Sequence, residues 1–444
     1  MQRFLNGILR CRKVLIYAVL TVFLCFLFLF APRPNEEYCG KFIEVGSIGF
    51  FPLNCDSYDY IDTAKSPLKL FDASSIRQTR PLYVLIASSV GYLLSPVISI
   101  LPLQNIAAQD DLLADSFYWG FMLLNFATLV CALLLFDRIV DVLTDGRFPQ
   151  ILKYLLAVGL VSNVVIKTSV WSAHQQMLTI LSPLLCVYWC LKIVLAEELE
   201  PKKIYVISIL GGLLMLTYGN FLILFASVIL AISIQLFRTA NFKFKTFLRF
   251  LVLSVVLFVL PTLVWTAILL YVNGRVYSHE VSAYRQFIWI VDKLLISPAA
   301  FYEQLVTFTT LYWTSIYRTI FVFIVVLVLL KIYNSLFYPK QQQEITPNRF
   351  LIQSMLAIIF LLYLIFFWLI GYYSERLTFT LVPVVLCLIA LELNSVISFG
   401  KALTVKAVYV LLLLCAFFWV YSNVNTYGPF RDLTKINSFQ YLRA

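Results

Sequence analysis

The sequence predicts an all-α polytopic membrane protein with about eleven transmembrane helices. Of its 444 residues, 61% are hydrophobic and only 13% are charged, whereas soluble globular domains carry about 25% charged residues. Apolar runs of about 18 residues or more recur along the chain, and each is long enough to cross a hydrocarbon core of roughly 30 Å as a helix. The net charge of +11 comes from Lys and Arg placed singly in loops, which indicates membrane orientation rather than nucleic-acid binding.

The N-terminal segment MQRFLNGILRCRK places Arg3, Arg10, Arg12 and Lys13 before the apolar run 14–31. This order is also typical of a signal peptide. However, the run is long for one, and the residues after it, APRPNEEY, lack a small-x-small cleavage site. We therefore expect an uncleaved anchor whose basic end faces the cytoplasm.

The hydropathy pattern predicts one integral-membrane domain over 1–444, without a soluble domain. Its spans are expected at 14–31, 117–137, 151–170, 177–195, 204–218, 221–237, 250–271, 318–336, 350–371, 377–394 and 407–421. This arrangement leaves two large outer loops, 32–116 and 272–317.

A further apolar run, 81–102, is expected to stay outside. Pro81 suits a first helical turn, and Pro96 interrupts the run after about 15 residues, too few to cross. If the run stays outside, nineteen of the 34 Lys and Arg residues lie on the cytoplasmic side, and compact basic loops such as FRTANFKFKTFLR face the cytoplasm. We therefore predict a helix over 81–95 that lies on or dips into the outer face.

The first outer loop contains an acidic cluster in NCDSYDYID, residues 54–62. Asp56 and Asp59 have the spacing of a helix capping box, in which both carboxylates favour the first backbone N–H groups. Alternatively, an acid at a rigid helix start near the membrane surface can act as a general base on a sugar hydroxyl. Spacing alone leaves both interpretations open.

Cys39 and Cys55 are the only cysteines in the predicted outer loops. In an oxidising compartment they can pair, which would close a loop that stabilises the fold by about 3 kcal/mol in the chain-entropy model. The alternative is two free thiols. A disulfide at Cys55 would also fix the backbone immediately before Asp56.

Two further segments place arginines where the predicted outer face meets the membrane. RQTRPLY, residues 77–83, contains Arg77 and Arg80, and GYYSERLTFTLVP, residues 371–383, contains Arg376 in a short outer turn. Arginines at such positions either anchor the chain at the interface or bind a phosphate or a glycan carboxylate with their planar forks. For Arg376 the phosphate would be that of a lipid-linked substrate.

The chain has only two histidines, His174 in WSAHQQM and His279 in YSHEVSAYRQF. They are not spaced as a zinc site requires. Each fits an ordinary interfacial polar residue, but the cluster of His279, Glu280, Tyr284 and Arg285 is also typical of a glycan-binding loop.

Together these features resemble the GT-C superfamily of integral-membrane glycosyltransferases, which use polyprenyl-phosphate sugars as donors. The resemblance lies in the order and placement of short motifs after an N-terminal anchor. They are DSYDYIDTAK opening a large outer loop, RQTRPLYVLIAS leading a non-spanning helix, SAHQQMLTIL in an outer turn, and YYSERLTFTLVP late in the chain. As an architecture, the resemblance extends over most of the chain.

The resemblance implies an inverting single displacement, in which an outer-loop aspartate takes the proton of the acceptor hydroxyl. Asp56 matches that acid, because a small residue follows it and the aromatic Tyr60 lies four positions on; Asp59 stays the second candidate. Arg376 matches the late arginine expected near the donor phosphate, and Tyr373 of the same motif is expected to bind substrate.

The implied partners are a polyprenyl-phosphate-linked sugar donor, a glycan or lipid-linked acceptor and the bilayer, without nucleic acid. The expected location is a bacterial inner membrane with the site facing the periplasm, although an endoplasmic-reticulum enzyme stays open. No cofactor is assigned, and a divalent cation stays open. So do two other classes: a transporter or flippase, which would keep charges within spans and broken helices in paired halves, and a glycan polymerase or ligase of another membrane fold.

Overall fold

Helices form most of the described chain. The computed structural model describes residues 2–31, 41–101, 111–238, 244–338 and 348–425. The strands β1 (Lys41–Val45) and β2 (Gly49–Leu53) pair as an antiparallel hairpin. The α-helices are α1 (Gln2–Leu27), α2 (Asp56–Lys65), α3 (Pro81–Ile98), α4 (Ser116–Leu143), α5 (Gln150–Val161), α6 (Val164–Ser169), α7 (Leu178–Val194), α8 (Pro201–Met215), α9 (Phe221–Arg238), α10 (Phe244–Asn273), α11 (His279–Ser282), α12 (Ile288–Ile296), α13 (Pro298–Phe337), α14 (Arg349–Leu369), α15 (Glu375–Thr378), α16 (Val382–Phe399) and α17 (Ala402–Asn425).

Ten helices of the described ranges are long and apolar enough to cross a membrane. At 1.5 Å per residue, even an 18-residue helix such as α9 extends about 27 Å, close to the hydrocarbon thickness of about 30 Å. The helices pack side by side, with α8 along α10, α7 along α9 and α13 along α16. The predicted fold class, an all-α polytopic membrane protein, is confirmed.

Helix α3 corrects one detail of the prediction. It does not end at residue 95 but passes through Pro96 to Ile98. Pro96 lies in the last turn, where a missing N–H removes a single bond and the helix is about to end anyway. With 18 residues, α3 is one of the ten helices that are long enough to cross. Its location on the outer face therefore stays a prediction.

Helices α3 and α4 pack closely at two glycines. A Cβ on Gly120 would lie 2.4 Å from the carbonyl oxygen of Ala87, and a Cβ on Gly91 would lie 2.6 Å from Cδ1 of Phe117. Neither position accepts a larger side chain unless the helices shift. This close contact holds the middle of α3 against α4, and the RQTR segment directly precedes α3.

The predicted span 151–170 is not one helix. Helix α5 ends at Val161, and α6 begins after Asn163, whose Oδ1 accepts a hydrogen bond from Ile166 N at 3.0 Å. This side-chain cap starts a new helix instead of continuing the old one. Helix α8, in the predicted span 204–218, has 15 residues, which is short for a crossing.

The predicted span 318–336 is part of a much longer helix. Helix α13 begins at Pro298, where Ser297 Oγ accepts a hydrogen bond from Ala300 N at 3.0 Å, and it runs for 40 residues. No glycine or proline follows Pro298 in this stretch to end the helix. It extends about 60 Å. The predicted outer loop 272–317 therefore contains α11, α12 and the first half of α13.

A smaller hydrophobic core holds α2 against α3 and α4. Tyr60 of α2 is fully buried, and its ring meets Tyr83 and Phe121 edge-on, with centroid distances of 5.5 and 5.8 Å. Phe51 of the hairpin stacks on Tyr118 of α4. Helix α2, which begins with the acidic residues, is therefore packed on a rigid base.

Candidate active site

A cavity of about 440 Å³ lies where the segments before α2, α3, α7, α9, α11 and α15 meet. This volume lies within the roughly 300–1,000 Å³ typical of small-molecule sites. One part of the wall is apolar, with Leu216, Leu222, Leu269 and Phe366. The polar part contains Asp56, Arg77, Arg80, His174, Gln176, Tyr218, Asn220, Glu280, Tyr284, Tyr372 and Arg376.

Asp56 does not cap its helix, so the capping-box interpretation is wrong. Cys55 occupies the N-cap position, and the Asp56 N–H donates to Oδ1 of Asn54 at 2.9 Å. The Asp56 carboxylate instead turns to Arg77, with 3.1 Å between Oδ1 and Nη2. Because the Arg77 side chain is 3% exposed, its charge needs a nearby carboxylate. Asp56 therefore faces the cavity as part of an ion pair.

Asp59 supports this arrangement from outside the cavity. Its carboxylate accepts a hydrogen bond from Nε of Arg77, and Asp59 does not line the cavity. The guanidinium of Arg77 also lies over the ring of Tyr60, 4.0 Å from its centroid. Asp59, the second candidate acid, therefore contacts the same arginine that pairs with Asp56.

His174 is held beside Asp56 by hydrogen bonds through Ser172. Ser172 Oγ accepts from Asn54 N and donates to the carbonyl of Pro52, each at 3.1 Å. This joins the segment before α7 to the β2–α2 junction. His174 Nε2 lies 3.7 Å from Oδ2 of Asp56, and the histidine is 5% exposed.

The two side chains have shifted pKa values. Burial, helped by the positive charges of Arg376 and Arg80, lowers the pKa of His174 to about 4 against the opposing effect of Asp56. Burial would raise the pKa of Asp56, but the contacts with His174 and Arg77 outweigh it and hold this pKa well below its usual range. Near neutral pH the site therefore contains an ionised Asp56 and a neutral His174.

Arg80 connects the segment between α2 and α3 to the short helix α11. Its Nη2 lies 2.5 Å from Oε1 of Glu280, and its Nη1 donates to the hydroxyl of Tyr60 at 2.9 Å. The Tyr60 hydroxyl donates in turn to Oε1 of Gln175. Tyr60 therefore links two residues of the cavity wall, Arg80 and Gln175, by hydrogen bonds. The charges of Arg80 and Glu280 compensate each other.

Arg376 lies at the start of α15 and lines the cavity, so it is not a freely solvated turn residue. Its carbonyl accepts a hydrogen bond from Nε2 of Gln176 at 3.0 Å, which fixes the backbone. Its guanidinium donates through Nη2 to the hydroxyl of Tyr372 at 3.1 Å. Within the described ranges, no carboxylate lies within 4 Å of this guanidinium. Arg376 is therefore a cavity-facing cation that lacks a carboxylate partner there.

Other predicted residues lie at the edge of the cavity or away from it. His279 lines it, with Nδ1 3.1 Å from the hydroxyl of Tyr277. Arg285 does not line it and is paired with Asp292. Tyr373 also points elsewhere, because its hydroxyl donates to the carbonyl of Trp368 at 2.6 Å.

The predicted disulfide is described only at one end. Cys55 is in a disulfide bond, whereas Cys39 lies outside the described residues. The pairing of the two therefore stays a prediction.

Sequence reasoning missed several lining residues. Tyr218 and Asn220 come from the turn between α8 and α9, whereas Gln176 and Tyr372 lie within WSAHQQM and GYYSERLTFTLVP, where other residues were the candidates. The polar stretch TYGN between two apolar runs is a signal that could have identified the first two. The placement of all four in one cavity depends on helix packing, which the sequence does not display.

The described side chains offer no obvious metal site. No group of three or more His, Cys, Asp or Glu residues in these ranges is placed to hold an ion. The cavity acids are instead engaged by arginines, as shown by Asp56 with Arg77 and Glu280 with Arg80. We therefore assign no step to a divalent cation.

No family model matches the chain. No curated protein matches it. Among solved structures, the crystal structure of ArnT from Cupriavidus metallidurans bound to undecaprenyl phosphate is similar over 93% of this chain and 73% of that chain, with 11% identity and a TM-score of 0.47. At this degree of similarity, function has to be inferred from the site itself.

Proposed function

We propose that this protein is an inverting glycosyltransferase of the GT-C type. It moves a sugar from a polyprenyl-phosphate donor to a glycan or lipid-linked acceptor on the outer face of the membrane. The observation that carries the proposal is a cavity that combines an ionised carboxylate, Asp56, with a guanidinium, Arg376, that has no carboxylate partner in the described chain.

Arg376 suits the phosphate of the donor. A phosphodiester carries about one negative charge, and the departing phosphate monoester approaches two near neutral pH. A guanidinium can meet that growing charge with two parallel hydrogen bonds, which strengthen as the glycosidic bond breaks. Such an interaction stabilises the transition state more than the bound donor, which is what raises the rate.

Asp56 suits the role of general base. Arg77 binds Oδ1, which leaves Oδ2 on the side of His174 and the cavity. The low pKa makes Asp56 a weak base toward a resting hydroxyl. Its proton transfer therefore belongs late in the reaction, when the attacking oxygen has become acidic because its new bond is forming.

In the proposed reaction, the acceptor oxygen forms a bond to the anomeric carbon while the bond from that carbon to the phosphate oxygen breaks. The proton of the acceptor hydroxyl goes to Asp56, and the electron pair of the broken bond leaves with polyprenyl phosphate. Because one displacement occurs, the anomeric configuration inverts.

The test is transfer of a radiolabelled sugar from synthetic polyprenyl-phosphate donors by the purified full-length protein in lipid nanodiscs. We expect a labelled glycan product with inverted anomeric configuration, and its loss in the Asp56→Asn variant. Movement of intact donor across a bilayer without a new glycosidic bond would identify a flippase. Transfer only from diphosphate-linked oligosaccharides would identify a polymerase or ligase.

The predicted orientation can be tested separately by labelling a cysteine introduced as Ala114→Cys. If 81–102 does not span, a membrane-impermeant thiol reagent should label it from outside in intact cells. The parent protein, which has alanine at position 114, gives the background labelling of its native cysteines. Labelling only after permeabilisation would contradict the predicted topology and the outer location of the cavity.

A further inference from the structure

We infer that the turn between α8 and α9 carries a subsite for a hydroxyl group of the donated sugar, formed by Asn220 and Tyr218. The inference rests on the proposed function and assigns the sugar end of the donor. Both residues line the cavity with Arg376, and both are buried, Asn220 being 4% exposed.

The amide of Asn220 is poorly paired. Its Nδ2 has no acceptor at ordinary hydrogen-bonding distance and angle in the described structure, and it makes only a weak hydrogen-bonding contact with the Tyr218 hydroxyl. Buried polar groups in native proteins are nearly always hydrogen-bonded. A poorly paired buried donor beside a cavity therefore favours a ligand atom that accepts from it.

A structural role as a helix cap does not explain Asn220. It directly precedes α9, where an asparagine usually accepts a hydrogen bond from an N–H of the first turn through its side chain. Here the N–H of Ile223 donates to the main-chain oxygen of Asn220, at 3.1 Å. The described contacts include none from the first turn of α9 to the side chain. The backbone alone starts the helix, so a capping role does not account for the amide.

The turn is fixed next to the arginine-bearing segment. Leu82 N donates to the carbonyl of Leu216 at 3.1 Å, which joins the turn to the start of α3. Trp265 Nε1 donates to the carbonyl of Gln78 at 2.8 Å, which holds α10 against the same segment. A Cβ built on Gly219, which also lines the cavity, would meet no atom within 4 Å. The subsite therefore has a fixed wall and open space in front of it.

A sugar hydroxyl fits this wall better than a phosphate does. A phosphate diester offers acceptors only, and it would leave Oδ1 of Asn220 without a donor. A hydroxyl accepts from Nδ2 and can donate to Oδ1 or to the Tyr218 oxygen. Both groups are uncharged, and the carboxylates Asp56 and Glu280 are already paired with arginines. The substrate class is thus a neutral sugar joined to one phosphate.

The experiment measures the dissociation constant of the full-length protein in nanodiscs for two kinds of probe. One is a set of synthetic polyprenyl-phosphate neutral hexoses and pentoses, and the other is polyprenyl phosphate without a sugar. The wild type should bind at least one sugar-bearing probe more tightly than the sugar-free lipid. Asn220→Ala should reduce this advantage by about three- to tenfold, the effect of one neutral hydrogen bond, and should leave binding of the sugar-free lipid unchanged.

Two further variants guard against misfolding. Tyr218→Phe removes a single oxygen and should act in the same direction as Asn220→Ala. Gly219→Val fills the open space and should also weaken only the sugar-bearing probe. The matched control is Ser227→Ala on α9, because Ser227 has an unpartnered buried hydroxyl that does not line the cavity. It should bind both probes as the wild type does.

Three results would overturn the subsite: a wild type that binds no sugar-bearing probe better than the sugar-free lipid, an equal loss for both probes in Asn220→Ala, or no loss in either Asn220→Ala or Tyr218→Phe. The two proposals fail separately. Sugar-dependent binding through Asn220 without transfer would refute the glycosyltransferase and leave the subsite. Normal transfer together with normal sugar-dependent binding in Asn220→Ala and Tyr218→Phe would refute the subsite and leave the glycosyltransferase.

Discussion

Two clusters of charge in this protein, one buried and one partly buried, differ in how their arginines are paired. Where α13, α14 and α16 meet, Arg349 donates to Glu392 at 2.7 Å and to the hydroxyl of Ser395 at 2.6 Å. Asn334 and Gln353 also donate to the Glu392 carboxylate, each at 2.8 Å. The carboxylate, 2% exposed, thus has a charged partner and two amide partners.

The cavity cluster is incomplete by comparison. Asp56 and Glu280 have arginine partners, but Arg376 has a tyrosine hydroxyl where Arg349 has a carboxylate. A partly buried charge without a counter-charge within 4 Å is unfavourable unless a ligand or solvent compensates it. The difference is consistent with a structural role for the first cluster, and it supports the proposed phosphate site in the second. Whether a charge is buried does not by itself distinguish a binding site from a structural ion pair such as Arg349–Glu392. Whether the charge has a partner is more informative.

The largest expected effect is that of Asp56→Asn. This change keeps the shape of the side chain but removes the proton acceptor, so transfer should fall by about 10²–10⁴, the usual contribution of general-base catalysis. Asp59→Asn is the matched control. Because Asp59 is a partly exposed partner of Arg77, and exposed ion pairs contribute roughly 0–1 kcal/mol, its loss should be less than about tenfold. An active Asp56→Asn with an inactive Asp59→Asn would reverse the two roles.

Arg376→Ala should lower turnover by about two orders of magnitude or more, as for loss of one preorganised donor. Arg376→Lys should keep partial activity, because lysine retains the charge but loses the planar fork. Folding should be preserved in both, since the contact with Gln176 uses the Arg376 main-chain oxygen. Near-normal turnover of a well-expressed Arg376→Ala protein would refute the phosphate site and the comparison drawn above.

Substitutions in the Arg349–Glu392 cluster should lower the thermal stability of the protein rather than its transferase activity. Glu392→Ala leaves the buried Arg349 without its counter-charge, and removal of one partner of a buried pair costs about 3–5 kcal/mol. The double variant Arg349→Met with Glu392→Leu should recover most of this loss. Thermal unfolding in detergent measures the effect, and transfer per folded molecule should stay within about twofold. A large loss of specific activity in the double variant would make this cluster functional too.

The smallest expected effect is a pH dependence caused by His174. Its pKa is about 4 in the folded protein and about 6.5 in an unfolded chain. Between these values the unfolded state binds more protons, so stability should rise with pH from about 4 to 6.5 and be fully present above that.

The variant His174→Asn should flatten this rise in melting temperature. His279→Asn is the matched control, because it removes the other histidine of the chain without touching the group buried beside Asp56. An unchanged slope in His174→Asn would show that His174 is not buried as a neutral ring.

The fold class, most helix positions and several site residues follow from the sequence alone. Apolar length determines which segments can form spanning helices, because an unpaired backbone is too costly in lipid. The same reasoning identified Asp56, Arg77, Arg80, His174, Glu280 and Arg376, since charges are rare in such a chain and stand out in the loops. Failures arose where local contacts compete with hydropathy, as at the Asn163 cap and at Pro298, where α13 begins long before its most apolar stretch.

Only the tertiary structure decided which charges are paired. The sequence shows Asp56 and Asp59 three residues apart, but it does not show that Arg77 pairs with both of them, through Nη2 and Nε. In the sequence, Arg285 and Arg376 are equally plausible ligand-binding arginines. In the folded protein Arg285 pairs with Asp292, whereas Arg376 lines the cavity. Ion pairs act over a few ångströms between residues far apart in the chain, so their partners are set by helix packing and cannot be read from spacing.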